Sequence, residues 1–456
     1  MKTECDKLNN VPGYNKKLLL SIIIFSVLNG FLCGYLLGVI AGIFPIIQKS
    51  FELSDAQISF IAGAILAGCF VSSIYTGPLN DFIGRKKTII YTMLFYIVGI
   101  IIMIFGADYK VFYAGRLFQG IGFGMAVIVV PIYLSEVSPA SHRGIVITAF
   151  QLSLTAGILI SSIINLGLVS YFNWHLLFVV LTALPVILII YTFFLPQSPR
   201  WYVKVGKLDK AKNVLYKIYD STEAELELEA MKLSQGGTTN QKISIIFKRK
   251  YIIPILIVTA AVSLNQLTGI NAFIQCSTNI LKSAGISSDV IGLLGGISIT
   301  GVNFVGTIMT LLLIEKIGRR RILKIGTFMV LISLIVIGLI NYFAPAGAFK
   351  GYVTLIGIVL VVGFYAFGPG GVVVVLCTEL LPFKVRGIGF SISFTIGALV
   401  GFFFVSEFLT LGEKIGYSGL FLLMACFVFF YFLISYAIPE TKGKSLEDLE
   451  NSYAKE

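Results

Sequence analysis

The sequence predicts an all-α membrane protein, with twelve transmembrane helices in two six-helix bundles and a helical loop between them. Three observations predict it. Of 456 residues, 57% are hydrophobic and only 13% charged, against about 25% charged in a soluble domain. Twelve apolar stretches are each long enough for the ~20 residues that a helix needs to cross a bilayer. Three short charged motifs also occur twice in the same order, once in each half of the chain.

The first six stretches lie near 18–44, 57–79, 88–106, 111–134, 145–169 and 174–195. The second six lie near 251–281, 290–314, 322–343, 351–378, 387–411 and 417–438. Most are too long and too rich in Leu, Ile and Phe for barrel strands, whose alternation is weaker. The 46 glycines suit closely packed membrane helices. This divides the chain into an amino-terminal segment 1–17, a first bundle 18–195, a linker 196–250, a second bundle 251–438 and a tail 439–456. Within the linker, the Glu-rich run 223–232 reads as a surface helix and 234–241 as a flexible connection. Met1–Lys17 is polar and the first apolar run is too long for a signal-peptide core, so no cleaved leader is expected.

Orientation follows from the basic residues. All of the 35 Lys and Arg residues except Lys49, Lys110, Arg116, Lys282, Lys350 and Lys414 fall at the chain ends or in loops on one side. That side is expected to be cytoplasmic, with both termini on it. The same asymmetry accounts for the net charge of +12 without a nucleic-acid partner. Cys5, Cys33, Cys69, Cys276, Cys377 and Cys426 form no C-x-x-C pair and read as small core residues. His142 and His175 are too far apart to suggest a site. No metal, no cofactor and no catalytic nucleophile–base set is expected, so the chain is not read as an enzyme.

The repeated motifs relate the halves. "DFIGRKK" at 81–87 returns as "EKIGRRR" at 315–321, "EVSPASHRG" at 136–144 as "ELLPFKVRG" at 379–387, and "PQSPR" at 196–200 as "PETKG" at 439–443. Parallel repeats of six helices are one plan for a membrane carrier, with the substrate site between the halves near the midplane. The motif glycine permits a tight turn, and its acid and arginine are suited to pairing with charges at neighbouring helix ends. Asp81, Arg85, Glu136, Arg143, Glu315, Arg319, Glu379 and Arg386 are therefore expected to form a cytoplasmic charge network. It would hold the halves together while the cavity faces outward.

The sequence resembles the sugar porter family of the major facilitator superfamily over nearly its whole length. The resemblance rests on "GPLNDFIGRKK", "GRLFQGIGFG", "PIYLSEVSPASHRG" and "PQSPRW" in the first half. In the second half it rests on "NQLTGINAF", "IEKIGRRR", "GPGG", "TELLPFKVRG" and "PETKGKSLEDL". It implies alternating access by two bundles, with a monosaccharide (hexose or pentose) or a polyol as substrate. It also implies a sugar site at Gln151, Asn265, Gln266, Asn271 and Asn303. Amides suit the task because they donate and accept while staying neutral. They could equally join helices to one another.

Several positions depart from the family pattern: Asn265, Gln275, Cys276, Val373, Val374, Gly397, Ala398 and Gln197. Smaller residues at several of them lead to the expectation of a roomier, less aromatic pocket. Arg116 is the one basic residue near the membrane interior. Leu36 stands where proton-coupled relatives carry an Asp, so Arg116 is expected to reach a backbone carbonyl or the outer interface. Facilitative uniport is the leading expectation. A proton-coupled symporter using Glu407 and a non-transporting sugar receptor are the rivals, the latter disfavoured by the short tail. The setting expected is the plasma membrane, the inner membrane if bacterial; the oligomeric state is left open.

Overall fold

The structure, a computed structural model, describes residues 14–106, 108–139, 142–168, 174–236, 248–285, 288–345, 347–382 and 385–442. The segment before residue 14, the tail beyond 442 and most of the 234–241 connection lie outside the described residues. The first half comprises α1 (Lys16–Ser50), α2 (Asp55–Ile83), α3 (Arg85–Ile104), α4 (Tyr109–Val137), α5 (Arg143–Leu168) and α6 (Trp174–Phe194). Three linker helices follow: α7 (Pro199–Lys204), α8 (Leu208–Ile218) and α9 (Ser221–Gly236).

The second half starts with a span in three pieces, α10 (Arg249–Gln266), α11 (Ile270–Gln275) and α12 (Ser277–Ser283). It continues with α13 (Asp289–Ile317), α14 (Arg319–Phe343) and α15 (Ala348–Tyr365). A π-helical segment (Ala366–Gly370) leads into α16 (Gly371–Leu380), then α17 (Arg386–Ser406) and α18 (Phe408–Ala437). Eleven spans among the described residues are long and apolar enough to cross a membrane, and α6 adds the shorter apolar stretch Leu181–Phe194 where the twelfth is expected. Large apolar side chains stand exposed around the bundle, among them Phe82, Phe105, Phe194, Leu312 and Phe343. Such a surface is stable against lipid and unfavourable against water.

Within the first half, Gly30, Gly34, Gly38 and Gly42 recur every four residues and form one stripe on α1. Their missing side chains let α1 lie directly on α5: a Cβ at Gly34 would collide with the Leu154 carbonyl, and one at Gly42 with Asn165. Small residues at such spacing are how membrane helices gain close contact where no hydrophobic force drives them together. Asn165 Nδ2 uses that proximity to donate to the carbonyls of Gly38 and Val39, at 3.3 and 3.1 Å.

The repeated "acid-x-x-Gly-basic" device has one geometry in both halves. Gly84 (φ 87, ψ 159) ends α2 and starts α3, and Gly318 (φ 100, ψ 151) does the same between α13 and α14. Only glycine takes this backbone without strain. Each turn leaves unpaired N–H groups at the start of the next helix. The third repeated motif supplies the acceptors: Lys86 N donates to Gln197 Oε1 (3.2 Å) and Arg319 N to Glu440 Oε1 (3.0 Å). The repeat is therefore a turn and its cap, conserved in geometry between the two copies in this chain.

The linker helices belong to the face that carries α1's start. Ala211, Leu215, Ile218 and Leu228 form a small core with Leu18 of α1 packed against it. Trp201 Nε1 donates to the Asp81 carbonyl at 2.9 Å, and Lys204 Nζ lies 2.8 Å from Asp81 Oδ2. Lys212 and Tyr216 donate to Glu225, and these bonds hold the Glu225 carboxyl below the usual carboxylate range. This face is called the linker face below, and the opposite one the far face.

Because α1 and α5 touch through backbone, Gly34→Leu is expected to destabilise the first half. Overpacking of this kind costs about 1–3 kcal/mol. A thermal melt in detergent checks it, and an unchanged midpoint would show that the helices can part without penalty.

Candidate functional site

Two seams join the halves: α2 packs on α17, and α5 on α13. The candidate amides lie on or beside these seams. Span seven is the element that differs most from expectation. It is not one helix over 251–281 but is broken at Leu267–Gly269, where Gly269 adopts the left-handed conformation (φ 80, ψ 7). The physical reason is local. Thr268 Oγ1 donates back to the Asn265 carbonyl at 2.7 Å and Gly269 N to the Gln266 carbonyl at 3.3 Å, which ends α10 in a tight turn. Non-helical backbone at membrane depth is tolerated only where protein or a cavity surrounds it, and such breaks are where carriers place their binding groups.

The break sits between two of the predicted residues. Asn271 Nδ2 donates to Gln266 Oε1 at 2.7 Å across it, and both side chains are half-buried. Gln266 lines a cavity of about 80 Å³ at the α2–α17 seam, together with Ser73, Phe123, Phe394 and Ala398. Asn265 is buried and faces the second half's own interior, its Oδ1 accepting from Tyr365 Oη at 2.9 Å. Asn303 is buried on α13 and Gln151 half-buried on α5. These are the two helices of the second seam. Gly301 of α13 meets Leu159 of α5 there, and Gln151 lies eight residues, about 12 Å of helix, nearer the linker face.

The expected roominess takes a different form. Gly397 has no side chain to hold α17 away, so a Cβ there would lie 2.5 Å from Val262 Cγ1 of α10. The helices close in and occupy the space that larger side chains would have filled. Aromatic surface returns from Phe123 and from Phe394, which stacks on Phe390 at 4.4 Å. The tenth span carries its own distortion: Pro369 lies in the π-helical segment, and Thr310 Oγ1 of α13 sits 2.9 and 2.6 Å from the carbonyls of Ala366 and Phe367. This irregularity positions Tyr365 against Asn265.

Arg116 is fully buried on α4. Its Nη1 donates to the Leu36 carbonyl at 3.2 Å and to Gln119 Oε1 at 3.0 Å. Its Nη2 donates to Gln275 Oε1 at 2.7 Å, across the seam between halves. The carbonyl expected for it is thus the one at Leu36. The role of Gln275 was missed: it stood out only as a departure from the family pattern. Glu407 is exposed and caps the end of α17 at the far face.

The charge network resolves into two equivalent clusters. Arg85 holds Glu136 with two bonds, at 2.7 and 2.8 Å, and lies 3.4 Å from Asp81. Arg319 lies 2.7 Å from Glu315 and 3.2 Å from Glu379. Arg143 Nε donates to the Ser138 carbonyl at 3.3 Å. The side chain of Arg386 lies outside the described residues. In this state the pairs named here tie helices within one half and do not cross the seam.

Among the described residues, hydrogen bonds cross it from mid-depth to the far face. Ser73 pairs with Thr395 at 2.8 Å, and Ser59 Oγ donates to the Val405 carbonyl at 2.6 Å. Nearer the rim, Asn279 Nδ2 donates to Gln48 Oε1 at 2.9 Å, and Gln48 Nε2 to Asp55 Oδ1 at 2.6 Å. The carboxyl of Glu413 is within hydrogen-bonding reach of Asp55. The far face is thereby closed. A cavity of about 300 Å³ remains there between α1, α12 and α13. Among the described residues no cluster of His, Cys, Asp and Glu could hold a metal ion.

Two six-helix halves, a broken span at their junction and amides flanking the break define a membrane carrier. The chain belongs to the sugar (and other) transporter family, which it matches over residues 22–453. A putative metabolite transport protein, YwtG of Bacillus subtilis, is 33% identical over 436 residues, covering 93% of each chain. The arabinose-proton symporter of Escherichia coli is 30% identical over 92% of this chain and 90% of its own. In the solved structures, the proton:xylose symporter XylE bound to 6-bromo-6-deoxy-D-glucose superposes with a TM-score of 0.80 over 96% of this chain and all of that one, at 24% identity. That likeness shows the major facilitator fold. The chain is a transporter and not an enzyme.

Gln266→Ala and Asn271→Ala are each expected to weaken solute binding by about two- to thirteenfold, the worth of a neutral hydrogen bond of roughly 0.5–1.5 kcal/mol. Half-saturation of uptake in proteoliposomes measures it. Wild-type values in both variants would remove the pair from the site.

Proposed function

We propose that the chain is a facilitative carrier of a monosaccharide, hexose or pentose, or of a polyol. It works by alternating access in the plasma membrane, with the linker face in the cytoplasm. The observation that carries the reading is the amide pair across the span-seven break. Asn271 donates to Gln266 across the break, and hydroxyl groups can replace that bond with donors and acceptors of their own. Neutral amides bind a neutral polyhydroxylated solute without the desolvation penalty of a charge. Gln151 and Asn303, on the other seam, are assigned to the opposite side of the solute. Asn265 is assigned to orient the break through Tyr365.

The far face is closed, so the solute leaves through the linker face in this state. For the opposite state, the Arg85–Glu136 and Arg319–Glu379 clusters, with Arg143 and Arg386 beside them, are proposed to meet across the seam. The excess of Lys and Arg on the linker face supports its cytoplasmic placement.

Uniport is supported by the surroundings of Arg116. Its hydrogen-bond partners are two amides and a carbonyl. The guanidinium itself keeps its proton at any relevant pH. Glu407 is exposed at the α17 cap. A proton-coupled reading is favoured by one observation, the Asp55–Glu413 carboxyl contact across the far seam.

Proteoliposomes loaded with equal solute inside and out, under an imposed inward proton gradient, decide between them. No net accumulation is expected. Accumulation abolished by a protonophore would overturn uniport, and its loss in Glu413→Gln with exchange retained would assign the coupling to the carboxyl pair. A labelled panel of hexoses, pentoses, polyols and disaccharides tests the substrate class. Uptake of disaccharides alone would overturn it.

A further inference from the structure

We propose that Gln275 is a positioning residue that ties the placement of α11, and with it Asn271, to closure of the far face. The inference rests on the amide site proposed above and adds a residue to it. α11 is six residues long, set off by the left-handed Gly269 at one end and by Cys276 (φ −108, ψ 14) at the other. It is a separate rigid piece between α10 and α12. Asn271 and Gln275 stand four apart on it, and residues at that spacing share one face of a helix. One end of this face bonds to Gln266 at the break. The other accepts from Arg116 of the first half at 2.7 Å, with Gln275 only 1% exposed.

Arg116 is itself held in the first half by the Leu36 carbonyl and Gln119. The guanidinium is therefore a fixed post, and α11 is the part that docks onto it. Opening the far face must carry the second half's α11 and α12 away from α1 and α4. That movement breaks a fully buried, charge-assisted bond, the strongest kind among those named at the seam.

A solute held by Asn271 fixes α11, and fixing α11 presents Gln275 to Arg116. Binding and far-face closure then favour the same α11 placement, which is the differential interaction a population shift requires. The thiols of Cys69 and Cys276 also lie near Arg116. The closure itself depends on an arginine that stays charged and an amide that does not titrate. The carboxyls of Asp55 and Glu413 lie at the rim, with Gln48 bonded to the former, and form a separate titratable contact.

Spin labels at Ala56→Cys and Lys414→Cys, exposed on opposite halves of the far face, report closure as a short separation and opening as a long one. Cys5 and Cys426 are replaced by serine, and the distances are read in nanodiscs by pulsed electron resonance with no gradient present. Gln275→Leu is expected to shift the short-to-long ratio toward the long separation by about tenfold or more, as loss of a bond to a charged group predicts. Gln275→Glu restores the short population at neutral pH. In a Glu413→Gln background, its ratio gains a pH response that Gln275→Leu lacks. The half-saturation for whichever of D-glucose, D-xylose and L-arabinose is taken up rises in Gln275→Leu and recovers in Gln275→Glu.

An unchanged distance ratio in folded Gln275→Leu protein overturns the proposal, as does a shifted ratio with unaltered half-saturation. A shifted ratio with no uptake of any of the three sugars upholds the clasp and counts against the sugar reading instead.

Discussion

A guanidinium that solvent does not reach must be given acceptors by the helices around it, and the way this chain meets that demand organises its centre. One acceptor is backbone from α1, one is a neighbour on α4, and one comes from the other half of the molecule. The last places α11 against the first half. With α11 docked, the chain beyond it follows α1 to the far face, where Thr278 reaches the Ala41 carbonyl (3.4 Å) and Asn279 reaches Gln48. The break at Gly269 is the other side of the same requirement. A continuous helix from Arg249 would fix the direction of Gln275 from the linker face upward. Interrupting it lets α11 take its direction from Arg116 and leaves two amides flanking a buried turn of backbone.

The halves share a skeleton and differ in how it is filled. Both use a glycine turn, an arginine just after it and a glutamate from the fourth helix of the half. Yet Arg85 gives its two short bonds to Glu136 and lies 3.4 Å from Asp81 of its own motif, while Arg319 gives two to Glu315 of its own motif and one to Glu379. The first half is also braced by α7–α9 and by the glycine stripe of α1. The second contains the broken seventh span and the π-helical tenth. Broken backbone thus gathers in the second half, where Gln266 and Asn271 flank it, while Gln151 and Asn303 stand on unbroken helices.

Much of this is legible in the sequence. Apolar runs placed the spans, and the motif repeat paired the halves, because both signals are local and survive without knowledge of packing. The turn at Gly84 and Gly318 was readable as a turn, since glycine before a basic run has few other uses there. The break in span seven was not, because hydropathy is blind to φ, and "LTG" is its sole local cue. Gln275 was seen only as an oddity: its partner is 159 residues away, beyond any periodicity. Roominess was inferred from small side chains, but Gly397 lets the backbone itself move in. The destination of each charge was undetermined for the same reason, as a helix end states its sign and not its neighbour.

The caps on the two glycine turns bear on how the protein is made. Lys86 N waits for Gln197, 111 residues later, and Arg319 N waits for Glu440, 121 residues later. In both cases the acceptor is synthesised only after the sixth span of its own half. A half that has just delivered its helices to the bilayer therefore still has an open turn on its rim. The segment that closes it is the first stretch of chain to emerge after the last helix. Each bundle thus carries a marker of completion at its edge, read by geometry and supplied in the order of translation.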